Sequence, residues 1–305
     1  MNIDKIILHA GTPKTGTTSL QMTLEEHRSI LSRQGVFYPA THPVDAKTAA
    51  HFGEMKPKHQ WLVQSLVAED MSSFWQNIEN VISQASQFAP IVVLSTEGLF
   101  HHWWDFSNSG RAALADFVHA FHVELWVWLR EPVAFFTSSY VQMLKNPPGL
   151  VHCYGRDWPP ERLLDEPWFA KHLDYVGFLD DVKELFGSER IRAFTYTGST
   201  VHDFFEAIGL AELGLPERRD YPTLGTVGVK LLRLLNRQAL SMKEKAAALD
   251  AITQVDAALG PQSAPFQLNP DVRARVRALC APGLKRLRDE YGIDLETPGY
   301  DEVGD

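Results

Sequence analysis

At 305 residues, with 45% hydrophobic and 11% aromatic residues, the chain is long enough to bury the core of one substantial α/β domain. Its formal charge of −9 disfavours broad, charge-driven binding to nucleic acid, and no run approaches the apolar length of a membrane span. Two cysteines, Cys153 and Cys280, have neither metal-ligand spacing nor the density of a disulfide scaffold, so free thiols in a reducing, cytoplasmic setting are expected.

The first predicted element is a strand over Lys5–His9, reached almost at once and without the basic, apolar and small-residue pattern of a secretory leader. It feeds a short loop, Ala10-Gly-Thr-Pro-Lys-Thr-Gly-Thr-Thr18, that opens directly into a helical pattern. Such a loop suits a phosphate. Backbone N–H groups at a helix N-terminus point at the anion, Lys14 adds a mobile cation, and Thr17 and Thr18 add hydroxyl donors. The spacing from Gly11 to Gly16 is that of the nucleoside-triphosphate loop, but Thr17 stands where its lysine belongs and Lys14 lies inside the loop. The dinucleotide pattern G-x-G-x-x-G is absent.

Helix one is predicted over residues 17–33, with Leu20, Leu24, His27 and Leu31 at core spacing and Gly35 as its stop. Residues 36–39 read as a short strand or extended entry to a polar, histidine-containing stretch over 41–59. Helices follow over 60–69 and 74–88, Pro90 breaks the pattern, and Ile91–Ser95 reads as a buried parallel strand. Glu97 comes just after it, where ligands bind in sheets of this kind, and is a candidate general base. It could instead cap the next helix or pair with a basic residue. His101 and His102 are rival bases. Their neighbours Trp103, Trp104 and Phe106 form either a sugar platform or a packed helix start.

A helix over 112–121 leads to a strand at Val123–Leu129, followed by Arg130, by Pro132 at the start of a helix over 132–144, and by Ser138 two turns along. Arg130 offers a fork of donors to a phosphate and Ser138 one more; alternatively Arg130 pairs with Glu131 or Asp180 and Ser138 packs. Residues 146–167 form a long irregular segment with prolines at 147, 148, 159, 160 and 167 and with His152, Arg156, Trp158 and Arg162. A helix over 169–186, a strand over 190–194 and a helix over 201–208 follow. The remainder is mostly helical, over 227–239, 242–259 and two short pieces at 270–280 and 282–291. This strand-then-helix order predicts a parallel sheet covered on both faces, with no internal repeat and no separate domain.

Pro13-Lys-Thr-Gly-Thr-Thr-Ser-Leu-Gln21 resembles the 5′-phosphosulfate loop of the sulfotransferases that use 3′-phosphoadenosine 5′-phosphosulfate. Leu125–Tyr140 carries a second match: a strand ending in Arg130, a proline two residues on, and Ser138 eight residues after the arginine. In a third, Tyr196 fits a strand ending in Tyr-Glu-Asp-Leu, although Thr197 and Gly198 replace the acidic pair. Leu231–Asn236 is similar to a helix of bacterial members that look like carbohydrate or glycosaminoglycan-type sulfotransferases.

The resemblance implies a P-loop-type, three-layer α/β/α domain over residues 1–305, with a central parallel sheet, a mostly helical C-terminal part, and acceptor-facing insertions at 41–70 and 146–168. It implies that Pro13, Lys14, Thr15, Gly16, Thr17 and Thr18 hold the donor's 5′-phosphate, that Arg130 and Ser138 hold its 3′-phosphate, and that Tyr196 lies near the adenine. Lys14 would steady the leaving group and Glu97 would be the base, with adenosine 3′,5′-bisphosphate as product and no metal. The implied activity is sulfuryl transfer to a hydroxyl or amine of a carbohydrate or small metabolite, without a nucleic-acid partner or membrane span. A magnesium-dependent P-loop nucleotide kinase and a nucleotide- or glycan-binding protein without turnover remain as alternatives.

Overall fold

The computed structural model describes residues 3–12, 15–40, 59–85, 90–148, 151–217, 224–238 and 240–295. Five parallel strands, β1 Lys5–His9, β2 Val36–Phe37, β3 Ile91–Ser95, β4 Val123–Leu129 and β5 Ile191–Thr195, lie in the order β2-β3-β1-β4-β5. The near-continuous apolar runs of β1, β3 and β4 are what strands covered on both faces require. The register sets Ile7 beside Val93 and Leu8 beside Leu125. The chain leaves β1 toward β2 and leaves β4 toward β5, so a crevice opens between β1 and β4 at their carboxyl ends.

The helices in chain order begin with α1 Thr17–Glu26, α2 Arg28–Arg33, α3 Gln60–Ala68, α4 Met71–Ala85 and α5 Gly98–His101. Next come α6 Asn108–Ala120, α7 Pro132–Lys145, α8 Pro160–Leu164, α9 Pro167–Ala170 and α10 Tyr175–Phe186. The last four are α11 Thr200–Ala207, α12 Thr226–Leu235, α13 Met242–Leu259 and α14 Pro270–Tyr291. The fold is therefore α/β, with a central parallel sheet flanked by helices and a largely helical C-terminal region.

Two compact units share these elements. The first comprises Met1–Arg130, Tyr175–Arg219 and Arg286–Asp305, and holds the whole sheet. On one face Ile7, Val93, Trp126 and Trp128 pack with Leu20, Leu24, Val201 and Phe204 of α1 and α11. Strand side chains alternate between faces, so Ile6, Leu8, Leu94, Leu125 and Val127 project to the other side, where α6 and α10 lie against β4. The second unit comprises Glu131–Asp174 and Asp220–Lys285. In it, Tyr140 stacks on Phe266 at 5.6 Å and Phe135 on Phe169 at 6.2 Å. Asp256 accepts from the N–H groups of Gly225 and Gly228 at 2.6 and 2.7 Å, anchoring the start of α12 from outside the helix.

Several expected boundaries differ. The helix predicted over 17–33 breaks at His27 (φ −105°, ψ 16°), and the turn lets Leu31 and Val36 join the sheet core. The helix predicted over 169–186 divides into α9, a 3-10 turn at Lys171–Leu173 and α10, with the His172 ring at 3.1 Å from the Trp168 carbonyl at the division. The irregular stretch 146–167 contains α8, which Pro160 opens at the position where its missing N–H costs nothing. The two pieces expected around Pro282 form the single helix α14, along which Val272, Val276, Cys280 and Leu287 stay buried. Of the expected insertion at 41–70, residues 41–58 lie outside the described residues, and α3 occupies most of the rest.

Candidate phosphate-binding site at the sheet's carboxyl edge

The loop after β1 is held by continuation of the sheet's own hydrogen bonding. The Ala10 N–H donates to the Trp126 carbonyl at 2.9 Å, and the Thr12 N–H and hydroxyl both reach the Trp128 carbonyl, at 3.1 and 2.9 Å. The Thr15 hydroxyl turns back to the Thr12 carbonyl at 2.7 Å, closing the loop on itself. Gly16 then takes the left-handed conformation (φ 75°, ψ 14°) that glycine adopts without strain, and α1 begins. Gly16, the residue at the N-cap, has no side chain to cap this helix start. Thr15 and Thr17 are buried and Thr18 is half-buried. The hydroxyl of Thr200, at the start of α11, donates to the Thr15 carbonyl and fixes the loop from the opposite side. Pro13 and Lys14 lie outside the described residues.

Beneath the loop is a buried polar group that motif reading missed. His9 Nδ1 lies 2.8 Å from the Ser95 hydroxyl, to which the Gln21 amide also donates at 3.1 Å. The Ser95 N–H donates to His59 Nδ1 at 3.0 Å, and the His59 N–H to the Ser95 carbonyl at 2.9 Å. Burial pulls the His9 imidazole down to about 3, so it is neutral in the folded chain. The one signal in the sequence was a polar residue closing an otherwise apolar strand.

At the exit of β3, the Thr96 N–H donates to the His9 carbonyl at 3.0 Å. Its hydroxyl donates to the Gln60 side chain at 3.0 Å and accepts from the Gly98 N–H at 3.2 Å, so Thr96 supports the turn that carries Glu97. Glu97 is half-buried at the start of α5 and makes no side-chain cap there, which removes the helix-cap alternative. His102 is engaged with Asp105 at 2.9 Å. Trp103 is fully buried, donates to Asp181 at 3.1 Å and lies under the Arg111 guanidinium at 4.9 Å. Phe106 is buried beside it, with ring centroids 5.6 Å apart. These aromatics build the helix start. Trp104, half-buried, packs against Phe100 at 6.0 Å.

Arg130 leaves β4 with its guanidinium over the Tyr196 ring at 5.5 Å. The Tyr196 N–H donates to the Leu129 carbonyl at 2.8 Å, which carries the β4–β5 ladder one step further. Its hydroxyl donates to the Gly198 carbonyl at 3.2 Å, and the Arg130 carbonyl accepts from Tyr175 at 2.9 Å. Asp180, one alternative partner for Arg130, is held by Arg286 at 3.1 Å and Tyr291 at 2.9 Å. The Glu131 side chain accepts from the Ala134 N–H at 2.6 Å and caps α7. Ser138 lies half-buried on α7, in the second unit. One edge of one sheet thus carries Thr15 to Thr18, Glu97, Arg130 and Tyr196.

Among the described residues, no helix is long and apolar enough to cross a membrane. No protein-family model matches the chain, and no curated protein does. Among solved structures, the chain is similar to the crystal structure of a sulfotransferase from Alicyclobacillus acidocaldarius. The two are 13% identical, the match covers 97% of this chain and 98% of that one, and the TM-score is 0.43.

Proposed function

We propose that the chain is a sulfotransferase that moves a sulfuryl group from 3′-phosphoadenosine 5′-phosphosulfate to a hydroxyl or amine of a carbohydrate or small metabolite. The observation that supports this reading most is the loop between β1 and α1. It combines an uncapped helix start, a left-handed Gly16 and threonine hydroxyls, on the same sheet edge as Arg130. In this reading the N–H groups of Thr15 to Thr18 hold the 5′-phosphate, aided by the Thr17 and Thr18 hydroxyls. Arg130 takes the 3′-phosphate with its fork of donors, and Tyr196 keeps the guanidinium in place beside the adenine. Ser138 is assigned as a second donor to that phosphate on its spacing from Arg130 in the sequence.

The donor supplies the sulfuryl group and a phosphate leaving group. Glu97 takes the proton of the acceptor hydroxyl as the acceptor oxygen bonds to sulfur. Lys14 and the loop N–H groups stabilise the charge that gathers on the 5′-phosphate oxygen as its bond to sulfur breaks. The electron pair of that bond leaves with adenosine 3′,5′-bisphosphate, and the proton stays on the carboxylate. Buried, free Cys153 and Cys280, both pushed up to about 12 by burial, suit a reducing cytoplasmic setting.

Arg130→Ala tests the nucleotide assignment. Calorimetry should show affinity for adenosine 3′,5′-bisphosphate falling at least about tenfold, with adenosine 5′-monophosphate nearly unaffected. Equal losses for the two nucleotides would count against a 3′-phosphate site at Arg130.

A further inference from the structure

His9, Ser95 and Gln21 form a buried line under the phosphate loop that the proposed chemistry leaves unused. His9 and Gln21 are 1% exposed, Ser95 is 0% and Thr17 is 2%. A hydroxyl has one proton to give. Ser95 Oγ accepts from Gln21 and keeps one lone pair and its proton, so its contact with His9 Nδ1 fits either ring tautomer; when Ser95 is the donor there, the neutral imidazole carries its own proton on Nε2. Trp128 and Phe204 meet the ring edge-on, with centroids at 5.2 and 6.2 Å, and fix its plane.

His9 Nε2 and Thr17 Oγ1 both lack a hydrogen-bond partner among the described residues. They face the same point. A β-carbon on Gly11 would sit 3.2 Å from Nε2, 3.0 Å from Thr17 Oγ1 and 2.9 Å from Thr15 Oγ1. Only glycine keeps that space open between the imidazole and the threonines. Two buried polar atoms without partners, both bordering the space at Gly11, are costly unless the loaded loop engages them.

We propose that His9 is a positioning residue of the phosphate loop: its Nε2–H is directed across Gly11 at the Thr17 hydroxyl, and the donor line Gln21–Ser95–His9 turns the Thr17 proton outward to the anion. In the loaded loop each group in this line would accept from the one before and donate to the next, ending on the ligand; the Gln21–Ser95–His9 contacts are in place, and the His9–Thr17 link is the one that loading would close. The inference rests on the phosphate reading of the loop and deepens it, since it names what orients one of the loop's hydroxyls.

Nitrogen-15 NMR of the imidazole in the full chain is the first test. The expected result is a neutral Nε2–H tautomer whose signal shifts when adenosine 3′,5′-bisphosphate is added. A Nδ1–H tautomer, or a signal indifferent to that nucleotide while calorimetry shows it bound, overturns the inference and leaves the sulfotransferase reading standing. If the wild-type chain ignores the nucleotide but the Nε2–H signal shifts with inorganic phosphate, the inference stands and the nucleotide reading falls. Indifference to both ligands overturns both.

Two variants separate positioning from packing. His9→Leu should lower the preference for adenosine 3′,5′-bisphosphate over adenosine 3′-monophosphate about five- to tenfold, with the monophosphate affinity unchanged. His9→Gln, whose amide can place an N–H near the position of Nε2, should restore most of that preference. Equal loss for both nucleotides, or no rescue by glutamine, reduces His9 to a packing residue. Should His9→Leu fail to fold, the tautomer and its response in the wild-type chain still decide.

Discussion

Burial pulls the His9 imidazole down to about 3 from its ordinary value of 6.5, so the folded chain leaves the ring neutral while the unfolded chain takes up a proton as pH falls. Below 6.5 the unfolded state therefore binds more protons, and stability falls with pH. Between pH 7 and pH 5 this one group should remove about 2 kcal/mol of stability, read by chemical denaturation at the two values. His9→Gln should flatten that slope; an unchanged slope would place its origin in another group. At Glu97 the expectation concerns chemistry and not folding. Glu97→Gln should cut sulfuryl transfer by about a hundredfold or more and leave adenosine 3′,5′-bisphosphate binding intact, because the carboxylate is assigned to the acceptor's proton. Transfer close to the wild-type rate in that variant would remove Glu97 as base and turn attention to His101. The passage from β1 through Gly16 into α1 was legible because an apolar run followed by glycine and threonine before a helical pattern marks a strand-to-helix junction. His9 was not, since a histidine closing a strand announces neither its tautomer nor its burial.

Among the elements, β1, β3 and β4 could be read with their final boundaries because each is an apolar run stopped by a polar or proline-containing segment. The helix breaks could not. At His27 and near His172 a ring nitrogen lies 2.9 and 3.1 Å from a helix carbonyl, and nothing in the apolar spacing around either residue signals that contact. Nor could the anchor of α12 be read, because Asp256 lies 28 residues from Gly228 in the chain. Burial pushes the Asp256 carboxyl up, but hydrogen bonds from Ser263, Gly225 and Gly228 outweigh it and hold the group below the usual carboxylate range. Asp256→Ala orphans two buried backbone donors at once and should cost about 2–4 kcal/mol in chemical denaturation. A loss below about 0.5 kcal/mol would mean that water or a neighbouring group replaces the carboxylate without penalty.

For the whole molecule, the alternation of strand and helix was enough to predict a parallel sheet covered on both faces, yet the order β2-β3-β1-β4-β5 is a product of packing. That order brings the exits of β3, β1, β4 and β5 to one edge, so residues as distant in sequence as Thr17 and Tyr196 share it. No composition shift marks where the chain passes between its two compact units, because each unit is assembled from separate segments. The net charge of −9 adds a repulsive background for an anionic nucleotide, so the proposed function requires affinity from local donors, to which the loop N–H groups and Arg130 are assigned. Calorimetric titration of the purified chain with adenosine 3′,5′-bisphosphate, against ADP with magnesium, distinguishes a sulfotransferase pocket from a kinase pocket. The prediction is a dissociation constant of about micromolar or tighter for the bisphosphate, and clearly weaker binding of ADP with magnesium. Preference for ADP with magnesium would contradict the sulfotransferase reading in favour of a kinase, and absence of binding to either nucleotide would contradict a working nucleotide pocket altogether.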